Sequence, residues 1–312
     1  MKLDSVLGLK EEISLRLPDM NTSRDEDGEP PAVGIGVAPT TIPGQFRLAA
    51  RPRFESDLSP TALAYLIQTS RGELDLRYTS IIAPTGRKLT VGASTAHRAG
   101  RTGTLGFFAR RNRDGTMGFV SANHVIAAQD RGQEGDPIYH PAAADGGCTD
   151  AYCIGLLAGD YPRLGQRGAR TVDCAFARLV DGVEYETCSV GAGERLVATP
   201  VPPAEHIAVG KVGRTTGRTS GRITAFALDD SKVNYSFGVG EVRFNGQIEI
   251  ESADQSPFSS PGDSGSVVFT ADGHPLGLVY SRSAAGGLSN MGLTMANPIG
   301  VVLDALGVTL VV

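Results

Sequence analysis

The stretch "SPFSSPGDSGSVVF", Ser256 to Phe269, decides how the chain is to be read. Gly-Asp-Ser-Gly stands directly before a run of strand-forming residues. A loop entering a strand uses the same residues, so the stretch alone is ambiguous. The sharper reading is a serine on a strained turn whose neighbouring amides are free to stabilise an oxyanion. That reading requires a histidine and an aspartate upstream, in an order that a known triad solution uses.

Of the five histidines, only His124 follows an apolar, strand-like stretch, in "GFVSANHVIAA". A base at the end of a packed strand is held rigidly. His140 and His274 each precede a proline in turn-like surroundings, and His97 and His206 have no such placement. Asp173 interrupts the apolar run "ARTVDCAFARLV". A carboxylate inside an apolar strand is costly unless paired, and an imidazole would serve as partner. Asp145, Asp150 and Asp160 sit in more polar, glycine-rich surroundings and are weaker candidates. The chain order is therefore His124, Asp173, Ser264. Gly262 and Ser264 supply the candidate oxyanion amides, with Gly262 leaving room for a substrate carbonyl.

The whole chain agrees with an enzyme-sized globular protein. It has 312 residues, 41% hydrophobic and 20% charged, with 40 glycines and 18 prolines in no fixed period. Glycine spread in this way marks many turns and hence many short strands. A formal net charge of −5 gives no reason to expect nucleic acid or an anionic membrane as partner. No apolar run is long enough to span a bilayer, and the charged start "MKLDSVLGLKEEISLRL" is no signal peptide, so a cytoplasmic location is expected. The cysteines Cys148, Cys153, Cys174 and Cys188 match no zinc-site spacing and read as free thiols. No metal and no cofactor is expected.

Three segments are expected. Residues 1–31 comprise a helix over 4–17, with Leu9, Ile13 and Leu17 on one face, stopped by Pro18 and followed by the acidic linker "PDMNTSRDEDGEPP". Residues 32–90 read as a small β-β-α-β unit, its helix capped by Ser59 with Pro60 in the first position. Residues 91–312 carry dense short strands between Gly/Pro turns, which argues for an antiparallel sandwich or barrel. "NPIGVVLDALG" at 297–307 reads as a closing helix with Asn297 as cap.

"SANHV", "VDCAFA" and "GDSGS" together resemble the His, Asp and Ser motifs of chymotrypsin-like (trypsin superfamily) serine proteases, over roughly residues 90 to 305. "AGRTGTLGFF", "GDPIYHPAAADGG", "VGKVGRTTGRTSGRI" and "FSSPGDSGSVVF" resemble the intracellular branch found in bacteria and in the plant narrow-leaf proteins. The resemblance implies a mainly β fold, a double antiparallel β-barrel with a C-terminal helix, preceded here by a small α+β unit. It implies a serine endopeptidase acting through His124, Asp173 and Ser264 on a protein or peptide. It also implies a role in processing one intracellular partner, as in a bacterial defence system. The competing reading is a catalytically inactive protease-fold scaffold or binding protein, which a covalent serine probe would discriminate. The unit before residue 90 supplies no member of the triad and is expected to serve control or targeting, through a regulatory partner.

The departures from the family pattern are informative. Val125 stands where secreted relatives have a cysteine, and Ser260 and Pro261 precede the Ser motif without one. In the secreted enzymes a new N-terminus pairs with the Asp of GDSG; no such junction is recognisable here, so Asp263 is expected to be buried and paired with another cation or with backbone donors. Arg214 is the expected partner, with Arg218 as substitute. The position that sets preference for the side chain before the scissile bond is Phe258, six before the nucleophile. A phenyl ring there gives Lys or Arg no anionic partner, so a tryptic preference is not expected. Arg282, in "GLVYSRS", falls on the expected pocket wall. Pointing inward it would favour an acidic or polar residue, and pointing outward a small apolar one. Asp254 could reach the pocket only if the intervening loop were longer.

Overall fold

The computed structural model describes the chain apart from residues 25–32, 53–56, 78–87, 148–151, 167, 192 and 206. Cys148, Asp150, His206 and half of the acidic linker (25–31 of 18–31) lie outside the described residues. The chain divides into two compact units, Met1–Arg87 and Lys88–Val312.

In the first unit a helix runs Leu3–Met20, and Pro18 lies inside its last turn rather than ending it. A proline this close to the end removes one intrahelical bond only, and Asn21 N still reaches the Leu17 carbonyl (2.9 Å). The strands Gly34–Pro39 and Phe46–Arg51 pair antiparallel, and Leu74–Leu76 joins parallel to the second. The helix Pro60–Thr69 is capped as its sequence predicts, Ser59 Oγ accepting from Ala62 N (3.2 Å). Val6, Ile13 and Leu17 of the first helix bury against Leu48, Ala50, Ala62 and Leu66. That helix thus shares one core with the small sheet, because its apolar stripe has to be covered.

The second unit holds two antiparallel layers. An eight-stranded sheet is built on Phe107–Arg111, Met117–Ser121, Ala175–Leu179, Cys153–Leu157 and Pro137–Tyr139. Its ends are Gly103–Thr104 and the terminal strand Val308–Val311, which pairs with Phe107–Arg111. A closed six-stranded barrel follows, in the order Ala208–Gly213, Gly217–Leu228, Gln247–Ser252, Leu293–Pro298, Pro275–Arg282 and Val267–Thr270. The period-two alternation of the strand after the Ser motif ties the layers together. Val267 and Phe269 pack into the core of the first layer, while Val268 between them packs inside the barrel with Ile248, Ile250 and Val279. A separate hairpin, Ser231–Tyr235 with Gly240–Phe244, projects from the barrel.

The closing helix runs Ile299–Leu306, but Asn297 does not cap it. Asn297 is fully buried and its amide is committed to the site described next.

Candidate active site

The strand Met117–Ser121 ends in a single helical turn, Asn123–Ile126, that carries His124. Four consecutive buried residues hold this turn, so the imidazole has little freedom. The chain then enters three successive residues of left-handed backbone, Ala128, Gln129 and Asp130 (φ 51°, 57° and 67°). Asn123 straps this strained turn down, donating to Asp130 Oδ1 (2.8 Å) and to the Pro162 carbonyl (2.9 Å).

Asp173 is completely buried just before the strand Ala175–Leu179. Its carboxylate is fully engaged: Oδ1 accepts from His124 N (3.2 Å), and Oδ2 from His124 Nδ1 (2.6 Å) and the Tyr235 hydroxyl (2.6 Å). A carboxylate can only accept, so Nδ1 carries the proton and Nε2 is left with a lone pair. The phenol of Tyr235 is pushed well above its ordinary range, first by burial and then by the adjacent Asp173. Asn297 Oδ1 accepts from Asp173 N (2.9 Å), its Nδ2 donates to Gln247 Oε1 (2.6 Å), and Gln247 Nε2 donates to the Thr171 carbonyl (2.9 Å). Two barrel side chains thereby fix the backbone on either side of Val172.

Ser264 sits on the turn before the strand Val267–Thr270 and lines the same cleft as His124 and Gly262. No hydrogen bond joins its hydroxyl to His124 among the described residues. Gly262 (φ 102°) and Gly265 (φ 93°) flank it in backbone that only glycine adopts freely. A Cβ on Gly265 would collide with Ser121 Oγ and the Thr104 carbonyl, and one on Gly262 with Thr215 Oγ1. The first layer also grips this turn, since Thr104 N donates to the Ser264 carbonyl (2.8 Å) and Thr104 Oγ1 to the Gly262 carbonyl (2.9 Å). Among the described residues the Gly262 and Ser264 amides have no acceptor within the protein.

Asp263 is fully buried, and its cation is Lys211, not Arg214. Lys211 Nζ lies 3.5 Å from Asp263 Oδ2. The carboxylate also accepts from Thr215 N (2.8 Å), Thr216 N (3.1 Å), Thr216 Oγ1 (2.7 Å) and Ser260 N (2.9 Å). Burial pulls the Lys211 ammonium down from its ordinary range, and Asp263 works against that pull. Arg214 lies beyond the end of the Lys211 strand, at the cleft, where Nε meets Asp145 Oδ2 (2.8 Å). Arg218, the substitute, pairs with Glu194.

The cleft encloses about 520 Å³ and is lined by Arg282 but not by Phe258. Phe258 is 1% exposed and packs in the barrel core against Val209, Ile223 and Ile250. Asp254 closes its own turn with Ser252 and Ser256 and stays exposed. Three residues that sequence reading passed over are central here: Tyr235, Lys211 and Asn297. Tyr235 and Lys211 carried no signal beyond a polar group in a strand, and Asn297 mimicked a helix cap. Among the described residues no three His, Cys, Asp or Glu side chains cluster as a metal site requires, and no helix is long and apolar enough to cross a membrane. Cys153, Cys174 and Cys188 are free thiols.

No family model matches the chain. A rice protein (Oryza sativa subsp. japonica), Protein NARROW LEAF 1, is 27% identical over 211 residues, 58% of this chain and 34% of that protein. The matched region thus spans about a third of that relative's length. Among solved structures, one described as a glutamic acid specific serine protease that uses a histidine triad in substrate binding matches with a TM-score of 0.51 and 23% identity, over 72% of this chain and all of that one. Thermobifida fusca Protease A matches with a TM-score of 0.50 and 20% identity, over 72% of this chain and 99% of that one. The Nocardiopsis protease matches with the same TM-score and identity, over 72% of this chain and all of that one. The fold is the double β-barrel of the chymotrypsin-like serine proteases.

Proposed function

We propose that the chain is a serine endopeptidase that hydrolyses protein or peptide substrates through an acyl-enzyme. One observation carries the reading: a fully buried Asp173 fixes the His124 tautomer, so that Nε2 is the basic atom beside a cleft that Ser264 also lines. His124 Nε2 takes the Ser264 Oγ proton as Oγ attacks the scissile carbonyl carbon. The carbonyl oxygen becomes an oxyanion stabilised by the Gly262 and Ser264 amides, which have no acceptor among the described residues. The imidazolium, held by Asp173, then protonates the leaving amine. Water repeats the sequence on the acyl-enzyme and restores Ser264. Tyr235 and Asn297 act as positioning residues, because both bond Asp173 rather than the reacting atoms.

The buried Lys211–Asp263 pair supports a nucleophile turn that is shaped without proteolytic activation. By resemblance, the target is one intracellular protein processed on a signal, in the manner of a bacterial defence protease. The unit Met1–Arg87 contributes no member of the site and is the candidate for partner recognition.

A fluorophosphonate probe and a general peptide library test the chemistry. Ser264→Ala, His124→Ala and Asp173→Asn should each lose on the order of 10⁴-fold or more in turnover with the fold intact. Hydrolysis by Ser264→Ala at near wild-type rate would sink the assignment, and a wild type that never labels would favour a retired, scaffold-like protein. Mapping new N-termini in cells with wild type against Ser264→Ala would name the target.

A further inference from the structure

We infer that Arg282 selects an acidic side chain, glutamate or aspartate, immediately before the scissile bond; this rests on the peptidase reading above. The cleft beside Ser264 is lined by three arginines, Arg101, Arg214 and Arg282, and by no carboxylate. Arg214 is neutralised by Asp145. Arg101 and Arg282 have no carboxylate in ion-pair range among the described residues, since Arg101 Nη2 donates to Ser236 Oγ (3.0 Å) and Arg282 Nη2 to the Met291 carbonyl (2.9 Å). The cleft is therefore a cationic slot with spare donor capacity.

Arg282 is the arginine placed to read the residue next to the reacting carbonyl. It ends the strand Pro275–Arg282, whose Val279 exchanges backbone bonds with the nucleophile turn: Gly265 N to the Val279 carbonyl (2.7 Å) and Val279 N to the Ser266 carbonyl (2.9 Å). The intervening Tyr280 and Ser281 line the cleft as well. Its guanidinium lies over Gly292, where a Cβ would come within 2.7 Å of Nη2, so the missing side chain is what admits it. The loop carrying the Met291 carbonyl is itself clamped. Glu251 Oε1 accepts from Ser289 N (3.1 Å) and from Leu288 N, while Arg222 Nη2 holds Glu251 Oε2 (2.7 Å). Among the described residues Nε and Nη1 have no acceptor, which leaves N–H donors on both flanks of the guanidinium for a carboxylate. A lysine or arginine substrate would meet like charge with no carboxylate lining the cleft to offset it.

The test uses the full chain, with fluorophosphonate labelling to fix the active fraction. Peptides differing only in the residue before the scissile bond carry Glu, Asp, Gln, Ala or Lys. Glu or Asp should exceed Gln in kcat/KM by about 10- to 100-fold, the range of a charge-assisted hydrogen bond lost on going to the amide. Arg282→Ala should abolish that ratio, and Arg282→Glu should invert it toward Lys, each variant's active fraction being fixed by labelling. Binding of the same peptides to Ser264→Ala, followed by anisotropy, reads the preference without turnover. A chain that never labels yet binds acidic peptides through Arg282 would overturn the peptidase reading, and with it the position before a scissile bond, leaving only acidic recognition by Arg282. Preference for Lys, no preference, a preference that survives Arg282→Ala, or acid selection only after the scissile bond would each overturn the inference.

Discussion

Lys211 Nζ stands 3.5 Å from Asp263 Oδ2, and neither side chain is exposed to solvent. The pair spans the step from the barrel strand Ala208–Gly213 to the turn that presents Ser264. Removing one partner of a buried pair leaves an uncompensated charge, at a cost of about 3–5 kcal/mol. Lys211→Met should therefore lose stability on that scale in urea unfolding and lose probe reactivity with it. Lys211→Met/Asp263→Asn should recover part of the stability, because the double change removes both charges. A stable, fully reactive Lys211→Met would show that the pair does not shape the turn.

Tyr235→Phe keeps the ring and removes the bond to Asp173. A hydrogen bond to a charged group contributes about 1.5–3 kcal/mol, so a clear drop in kcat with KM little changed is expected. The pH dependence has a definite sign. The Tyr235 phenol is raised above its ordinary value, so the folded state keeps a proton that the unfolded chain loses on passing pH ~10. Its contribution is fully present below that pH and falls as pH rises through the raised value. The stability difference between wild type and Tyr235→Phe should be flat from neutral pH to about pH 10 and shrink beyond it.

Gly265→Ala should be worse than Gly262→Ala. Both need positive φ, but the Gly265 Cβ would strike the Thr104 carbonyl, which is backbone, whereas the Gly262 Cβ would strike a threonine hydroxyl. A difference of about 1 kcal/mol or more is expected in denaturant unfolding, with probe reactivity lost in both. Equal stability of the two variants would argue against the tight packing of the turn.

Phe258→Ala separates core from specificity. Emptying a fully buried phenylalanine site costs about 3–5 kcal/mol. The variant should melt early yet keep the ranking of cleavage sites, whereas Arg282→Ala should do the reverse. A changed ranking with unchanged stability would place Phe258 in the substrate pocket after all.

The unit Lys88–Val312 holds every residue of the candidate site. Expressed alone, it should fold and label with a serine-directed probe. A soluble, folded fragment that fails to react would mean that Met1–Arg87 completes the site.

Much of this architecture was readable from pattern. The strands Met117–Ser121 and Ala175–Leu179 follow the apolar runs that predicted them, and Ser59 and Pro60 start their helix as local chemistry dictates. What escaped was long-range. Pro18 looked like a stop because its proximity to the helix end had no local mark. Asn297 stands before Pro298 as a cap would, yet its amide is taken by Asp173, 124 residues earlier in the chain. The strand Gly217–Leu228 begins inside "GRTSG", where Arg218 and Ser220 are exposed, and Gly221 is needed where a Cβ would meet Phe258 and the Glu251 carbonyl. His124, Asp173 and Ser264 stood out because each breaks its local pattern. Tyr235 and Lys211 did not, since a polar residue in a strand is ordinarily exposed.

Thr104 is the point at which the two layers depend on each other. Its amide and hydroxyl hold the carbonyls of Ser264 and Gly262, and its hydroxyl also accepts from Arg214 N (3.1 Å). Ser264 thus belongs by sequence to one half of the molecule and by bonding to the other. Such a site works as a coincidence detector: it exists only while both halves are folded and in register.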